Sequence, residues 1–372
     1  MDAELQIDWL RLVRSPKIGA VTLAHLIRHL QTPQAVLTAT RKELSAVPAL
    51  RFEVIRTLEQ FRRDIPARPI AQELERLQQL GGRMLVPGTP DYPPRLAAIH
   101  DPPPALFVIG DPAHLHHDPL ITITGTRKST PRGIAFAAEL ARDLTQAGIV
   151  TVSGLSAGID AAAHCGALET GGPTIAVLAT GIDITFPREH QDLQRQIATQ
   201  GCLVSEAPLG LLPVPWAFPP RARILSGLTR GVVIVEAPER SGALLTAHQA
   251  LDQGREVFAV PGPIQEPNTR GPHALLRQGA RLIEGVNDIL EELRWSLPLP
   301  LPPVQPPLPR PDLPDQVAMV LTHLQGGVTQ EDDLTRCCQL TVAALSRILL
   351  QLELSGLIER LPGGRYAVTS RG

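Results

Sequence analysis

The sequence predicts an α/β protein built on a doubly wound, mostly parallel sheet, with a helical domain in front and a winged-helix domain behind. Three observations predict it. Six short apolar runs alternate with helical patterns between Leu120 and Val260, as in sheets whose strands are covered on both faces. Residues 1–64 carry apolar positions only at helical spacing. The last sixty or so residues read as three helices and a hairpin, set apart by a proline-rich run.

In chain order, Trp9, Leu10, Leu12 and Val13, then Leu23, Leu26, Ile27 and Leu30, mark helices broken near Gly19 and Thr32-Pro33. Residues 65–115 hold Asp91-Tyr92-Pro93-Pro94 and Asp101-Pro102-Pro103-Pro104 and read as a connector. The strands expected over 116–295 are LITIT (120–124), IVTVS (149–153), TIAVLA (174–179), CLVSE (202–206), VVIVE (232–236) and EVFAV (256–260). Residues 296–314 contain nine prolines in nineteen positions, which suits a semi-rigid polyproline spacer. In the tail, 315–372, helices are expected at 315–324, 331–338 and 341–355, with a hairpin turning at Gly363-Gly364. The third of these helices offers only Arg347 as a cation, so the tail reads as a partner or dimer module rather than a DNA reader.

Composition narrows the function. Hydrophobic residues make up 43 % of the 372, which excludes global disorder. Lys plus Arg total 35 against 37 Asp plus Glu, so the net charge of -2 excludes a uniformly basic coat but not a local basic site. The four cysteines show no CxxC spacing, which argues against a zinc site and a secreted disulfide framework. His114, His116 and His117 lie in a polar stretch without nearby carboxylate spacing and read as a solvated loop, so no metal or cofactor is expected. Without a long apolar run the chain is expected to be soluble and cytoplasmic, away from membranes.

In open parallel sheets ligands bind at the carboxyl ends of strands, so the turns there are the candidate sites. The first is Gly125-Thr126-Arg127-Lys128-Ser129, where backbone N–H groups, hydroxyls and the Arg127 fork suit phosphate. It does not match GxGxxG, which speaks against NAD. The second, Ser153-Gly154-Leu155-Ser156-Ala157-Gly158, contains GxSxG, the pattern of a hydrolase elbow, with Asp183, His248 and His273 downstream. No oxyanion-loop motif precedes it, and Ser156 reads as a small turn residue ahead of a phosphate contact or a nucleophile. Asp160 and His164 are explained by capping and packing. The third stretch holds Phe218, Arg221 and Arg223 within a window, 207–235, that has no acidic residue; 119–138 is a second such window. Phe218 reads equally as a base-stacking ring and as a core aromatic. The fourth is the small-residue loop at Ser241-Gly242.

GTRKST, SGLSAGIDAAAH, GAL, TIAVLATGID, FPPRARILSGLT, VVIVEAPERSGALLTA and VFAVPG together resemble the DprA (Smf) family in order and spacing, from about Tyr92 to Leu290. The resemblance implies an extended Rossmann-like domain behind a SAM- or helix-hairpin-helix-like one, and a winged helix at the end. It implies a protein that is not an enzyme: a homodimer through the Rossmann-like domain that binds and protects single-stranded DNA. Its role would be to help load RecA recombinase in natural transformation, with DNA repair as a second setting and single-strand-binding protein as a further partner. Carried onto this sequence, the phosphate pocket would use Gly125, Thr126, Arg127, Ser153 and Gly154, then Arg221, Arg223, Ser241 and Gly242. Three positions depart from the family pattern: Ala157 and Ala222 stand where Arg and Asn are usual, and His273 where Asn is usual. The alternative is a nucleotide phosphoribohydrolase of the lysine-decarboxylase-like Rossmann group. That chemistry needs a Glu after the loop at 239–246, and none follows before Gly254.

Overall fold

The computed structural model describes residues 2–64, 67–296, 315–324, 329–354, 357–361 and 364–368, and it divides into two units, Met1–Leu297 and Pro298–Gly372. The proline spacer and the apex of the tail hairpin thus fall largely outside the described residues.

The first unit opens with five helices: α1 (Ala3–Val13), α2 (Ala20–Leu30), α3 (Pro33–Thr38), α4 (Arg41–Ala46) and α5 (Phe52–Asp64). Leu12, Leu23, Leu26, Val36, Leu44 and Leu58 form their shared core. Helix starts follow local chemistry: Asp2 caps α1, Thr32 caps α3 with Pro33 in the first turn, and Thr40 and Glu43 form a reciprocal capping box on α4. Trp9 and Leu10 of α1 face away from that core, onto a group that holds Phe107, Leu178 and Leu203, so the helical region is packed against the α/β domain.

The stretch 65–115 is not a bare connector. It supplies α6 (Ala67–Gln79), β1 (Gly82–Leu85), α7 (Pro94–Ala97) and β2 (Leu106–Gly110), and both strands join the main sheet. The expected strands then appear as β3 (Leu120–Thr124), β4 (Val150–Ser153), β5 (Thr174–Leu178), β6 (Cys202–Ser205), β7 (Gly231–Ile234) and β8 (Glu256–Ala259). Between them lie α8 (Pro131–Gln146), α9 (Ile159–Glu169), α10 (Gln191–Gln200), α11 (Phe218–Leu228) and α12 (Gly242–Asp252). Helix α13 (Arg270–Arg277), a two-residue strand β9 (Arg281–Leu282) and α14 (Val286–Ser296) complete the unit.

The nine strands run in the order β1-β2-β6-β5-β4-β3-β7-β8-β9. Pairing from β6 through β9 is parallel, and β1–β2 and β2–β6 are antiparallel. Alternate residues feed opposite cores: Ile121, Ile123, Val233 and Phe258 pack under α8, α9 and α14, while Leu120, Val152 and Val177 pack under α7 and α11. The chain winds one way from β3 through β6 and the other way through β7 and β8. The reversal point lies between the carboxyl ends of β3 and β7.

The second unit has α15 (Asp315–Leu324), β10 (Thr329–Gln330), α16 (Glu331–Cys338), α17 (Val342–Leu354), β11 (Ile358–Leu361) and β12 (Arg365–Val368), with the sheet order β10-β12-β11. Leu345, Ile348, Leu349 and Leu352 of α17 pack on Val317, Val320, Leu334 and Tyr366, so this apolar face is the unit's own core.

Candidate nucleic-acid interface

A cleft of about 480 Å³ opens at the reversal point. Gly125, Thr126, Arg127 and Lys128 from the β3 turn form one wall, Phe218 and Arg221 at the start of α11 form a second, and Ser241 and Gly242 at the start of α12 form a third. Three separated stretches of sequence thus meet where open α/β sheets place their ligands.

The turn after β3 must pass close to two backbones. Thr126 N–H donates to the Glu236 carbonyl at 2.7 Å. A Cβ at Gly125 would sit 2.7 Å from that same oxygen and 2.6 Å from Ile159 Cγ1, so only glycine fits there. Gly158 has φ +81, and a Cβ on it would lie 2.5 Å from the Thr126 carbonyl. The turn after β4 is fixed by Asp160, which is buried at the start of α9. Its carboxylate accepts from Thr124 Oγ1 at 2.8 Å and from Ser156 N–H at 3.3 Å. Within GxSxG the left-handed conformation falls on Leu155 and Gly158, not on Ser156, and among the described residues no histidine hydrogen-bonds Ser156. The strained serine of a hydrolase elbow is therefore not present.

Glu236 adds a constraint that the sequence did not announce. Its carboxylate accepts from Thr130 N–H at 2.9 Å and from Thr130 Oγ1 at 2.5 Å, while Thr130 caps α8. The positive end of α8 is thus already met by an internal acid, and Asp160 holds the corresponding place at α9. The expected anion seat at the helix after Gly125 is filled, and the cleft draws its positive character from side chains instead.

Those side chains are Arg127, Lys128, Arg221 and Arg240. The Arg127 guanidinium stands over two rings, 4.7 Å from the centre of Phe218 and 6.0 Å from that of Phe186. Arg221 lies 5.6 Å from the Phe218 ring on its own account and donates from Nη1 to the Gly154 carbonyl at 2.8 Å. Its buried Nε has no hydrogen-bond partner. Burial is the largest influence on the Arg221 pKa and lowers it; Asp160 counters this and Arg127 adds to it. Phe218 is half-buried and meets Phe186 edge-on at 6.2 Å, so it belongs to the rim rather than to the core.

Not every expected contact reaches the cleft. Arg223 points the other way along α11 and is only 8 % exposed. Its Nη1 and Nη2 bind the Glu206 carboxylate at 2.8 and 2.7 Å, and Nε lies 3.0 Å from an Asp101 carboxylate oxygen. Burial would lower its pKa, but Glu206 and Asp101 outweigh burial and raise it. Arg223 is a tie between α11 and its surroundings, so the expected DNA contact is withdrawn. Ser153 is also buried, donating to the Ile123 carbonyl at 2.6 Å. Gly154 lies behind Arg221, where a Cβ would meet Nη1 at 2.5 Å. The Ser129 hydroxyl is buried beside Gly158, and Ser241 is the N-cap of α12 with Gly242 open to the cleft. Asn268 was not foreseen. Its Nδ2 donates to the Lys128 carbonyl at 2.8 Å and ties the turn to the segment before α13.

Several histidines have local partners. His116 and His117 bond the Asp91 and Gly148 carbonyls, and His164 is buried against Thr174 Oγ1 at 2.8 Å. His273, at one of the departures from the family pattern, bonds the Gly262 carbonyl at 3.1 Å. Helix α12 carries no acid before Asp252 in its last turn, so the glutamate needed by phosphoribohydrolase chemistry is missing from it.

The sequence profile described as DNA recombination-mediator protein A matches residues 83–294, more than half of the chain. The chain belongs to the DprA family. A DprA-like N-terminal HHH domain matches residues 3–42 and the DprA winged helix domain matches 304–364, which accords with the helical and tail regions. Protein Smf of Escherichia coli (strain K12) is 40 % identical over 316 residues, 83 % of this chain and 84 % of that one. DNA processing protein DprA of Bacillus subtilis (strain 168) is 40 % identical over 262 residues, 70 % of this chain and 85 % of that one. The structure of DprA from Streptococcus pneumoniae superposes with a TM-score of 0.69 at 30 % identity, covering 77 % of this chain and 97 % of that one. DprA from Helicobacter pylori, described for its single-stranded DNA binding mode, superposes at 0.52 with 28 % identity, covering 58 % of this chain and 96 % of that one. Among the described residues of this DprA-family chain, no helix is long and apolar enough to cross a membrane.

Proposed function

We propose that the chain binds single-stranded DNA in the cleft between β3 and β7 and acts without catalysis as a recombination mediator. It covers and protects the strand and helps load RecA recombinase onto it in the cytoplasm. Natural transformation is one setting and DNA repair another, with single-strand-binding protein the competitor on the same strand. The working form is a homodimer through the α/β domain.

The observation that carries this reading is the cationic, aromatic rim formed by Arg127, Arg221 and Phe218. Guanidinium groups neutralise a backbone phosphate, and a half-exposed ring takes the face of an unpaired base, a combination that suits a single strand. The Helicobacter pylori relative, described for its single-stranded DNA binding mode, supports the same direction. The test is titration of labelled single- and double-stranded oligonucleotides at several salt concentrations. Each neutralised phosphate on a single strand contributes about -0.7 to the log–log salt slope, so a shallow, clear slope and a preference over duplex are expected. Equal affinity for duplex, or no salt dependence, overturns the reading.

A further inference from the structure

Trp216 has no place in the core and none among the contacts of the cleft. It is 66 % exposed, whereas Trp9 is buried with its Nε1 donating to the Pro104 carbonyl at 2.7 Å. An exposed indole beside a candidate nucleic-acid cleft offers a flat apolar face with a polar N–H edge.

We propose that Trp216 is a second base-stacking platform, taking a neighbouring nucleobase of the strand bound in the cleft. The proposal rests on the reading of the cleft as a single-stranded DNA site. Trp216 sits in a 3₁₀ turn, Pro215–Ala217, that runs directly into α11. Pro215 and Phe218 face the cleft, while Trp216, Ala217 and Pro220 line a shallow recess of about 190 Å³ on the far side of the same wall. Arg221 lines both. The rings are two positions apart in sequence, so their Cα atoms are at most about 7 Å apart, within reach of nearby bases on one strand.

Charge favours nucleic acid over an acidic protein contact or a self-contact. No acidic residue occurs from 207 to 235. The acid that lines the recess, Glu206, is held by both terminal nitrogens of Arg223. Among the described residues, the carboxylates lining the cleft and the recess, Asp160 and Glu206, are both hydrogen-bonded within the protein, so a polyanion passing Arg221 toward Trp216 meets neither one unpaired. Stacking on an exposed ring is also tolerant of base identity, in keeping with a site that does not read sequence.

The test uses the full-length protein. Binding of a dT oligonucleotide is expected to quench Trp216 emission, isolated as the difference between wild type and Trp216→Phe. Trp216→Ala is expected to weaken dT binding about tenfold, with Trp216→Phe restoring most of the loss. An oligonucleotide of abasic sites, which keeps the phosphates and removes the bases, is expected to bind wild type and Trp216→Ala alike. Arg127→Ala separates the cleft from the second platform. If Arg127→Ala binds dT as wild type does, the reading of the cleft itself fails. If Arg127→Ala is weakened but Trp216→Ala is not, and no quenching is seen, the second platform alone is overturned. A Trp216→Ala protein with normal DNA affinity but an altered sedimentation profile assigns the ring to a protein contact, which also overturns the proposal.

Discussion

The guanidinium of Arg127 lies 4.7 Å from the centre of the Phe218 ring, although the two residues are 91 positions apart in sequence (218 - 127). The contact holds a long, exposed side chain over the cleft before any ligand arrives, which removes part of the entropy cost of fixing it later. Phe218 thus has two roles: it presents a ring to the cleft and it positions the cation beside that ring.

Replacing Arg127 by alanine is expected to lower single-strand affinity about ten- to a hundredfold, because charge-assisted contacts to phosphate contribute roughly 1.5–3 kcal/mol. Arg127 is exposed and has no carboxylate partner among the described residues, so thermal stability should stay unchanged. Fluorescence anisotropy and calorimetry on the same preparation check both halves. Arg127→Lys should recover the charge but not the stacking on Phe218, and should fall between the two.

Arg223→Ala has the opposite profile. It strands the Glu206 carboxylate, and the expected cost is about 2–4 kcal/mol of folding stability. Denaturant unfolding measures this directly. A variant that unfolds like wild type yet binds DNA poorly would return Arg223 to the binding surface.

Ser156→Ala should be nearly silent in both assays. Its backbone N–H, which the substitution keeps, is what Asp160 holds. A fluorophosphonate probe should leave Ser156 unmodified, and stoichiometric labelling there would revive a nucleophilic role.

Acid should destabilise the fold through His164. Burial, with a smaller effect from His190, lowers its pKa from 6.5 to about 3. Between those values the unfolded chain takes up a proton that the native state refuses. Stability is then fully present above pH 6.5 and falls by about 1.4 kcal/mol per unit below it, some 2 kcal/mol by pH 5. Urea unfolding of wild type and His164→Gln across pH 5–8 checks the slope, which the variant should flatten.

Removing residues 296–372 should leave oligonucleotide affinity within a few-fold. The apolar face of α17 is spent on Val317, Val320 and Leu334, and the helix has only Arg347 to offer a phosphate. Anisotropy and sedimentation of the shortened chain decide the point. A collapse of affinity in a truncated protein that still folds would make the winged helix a DNA-binding element.

Strands β3 to β8 were legible because fully covered parallel strands leave contiguous apolar runs bounded by glycine or polar turns. Strands β1 and β2 were not. Gly82–Leu85 contains Arg83, and Leu106–Gly110 follows a run of prolines, so neither stood out from a connector. At the site, Arg127 and Arg221 were readable from surroundings free of acidic residues. The commitment of Arg223 was not, since its partners Asp101 and Glu206 are brought to it only by the packing of α11. The same holds for Glu236 and Thr130, which meet across the sheet reversal.

Glu236 bears on which nucleotides the protein can tell apart. In many sheets of this topology the helix after the first strand seats a single phosphate, so any free nucleotide can compete for it. Here the chain's own carboxylate sits at that helix. A lone mononucleotide is left with scattered cations along the rim, each contributing little. A polymer engages several of them at once, and its hold grows with every linked residue in reach. If the cleft holds DNA as proposed, excluding the monomer's seat is a way of recognising length: the protein would ignore the soluble nucleotide pool and still hold a strand.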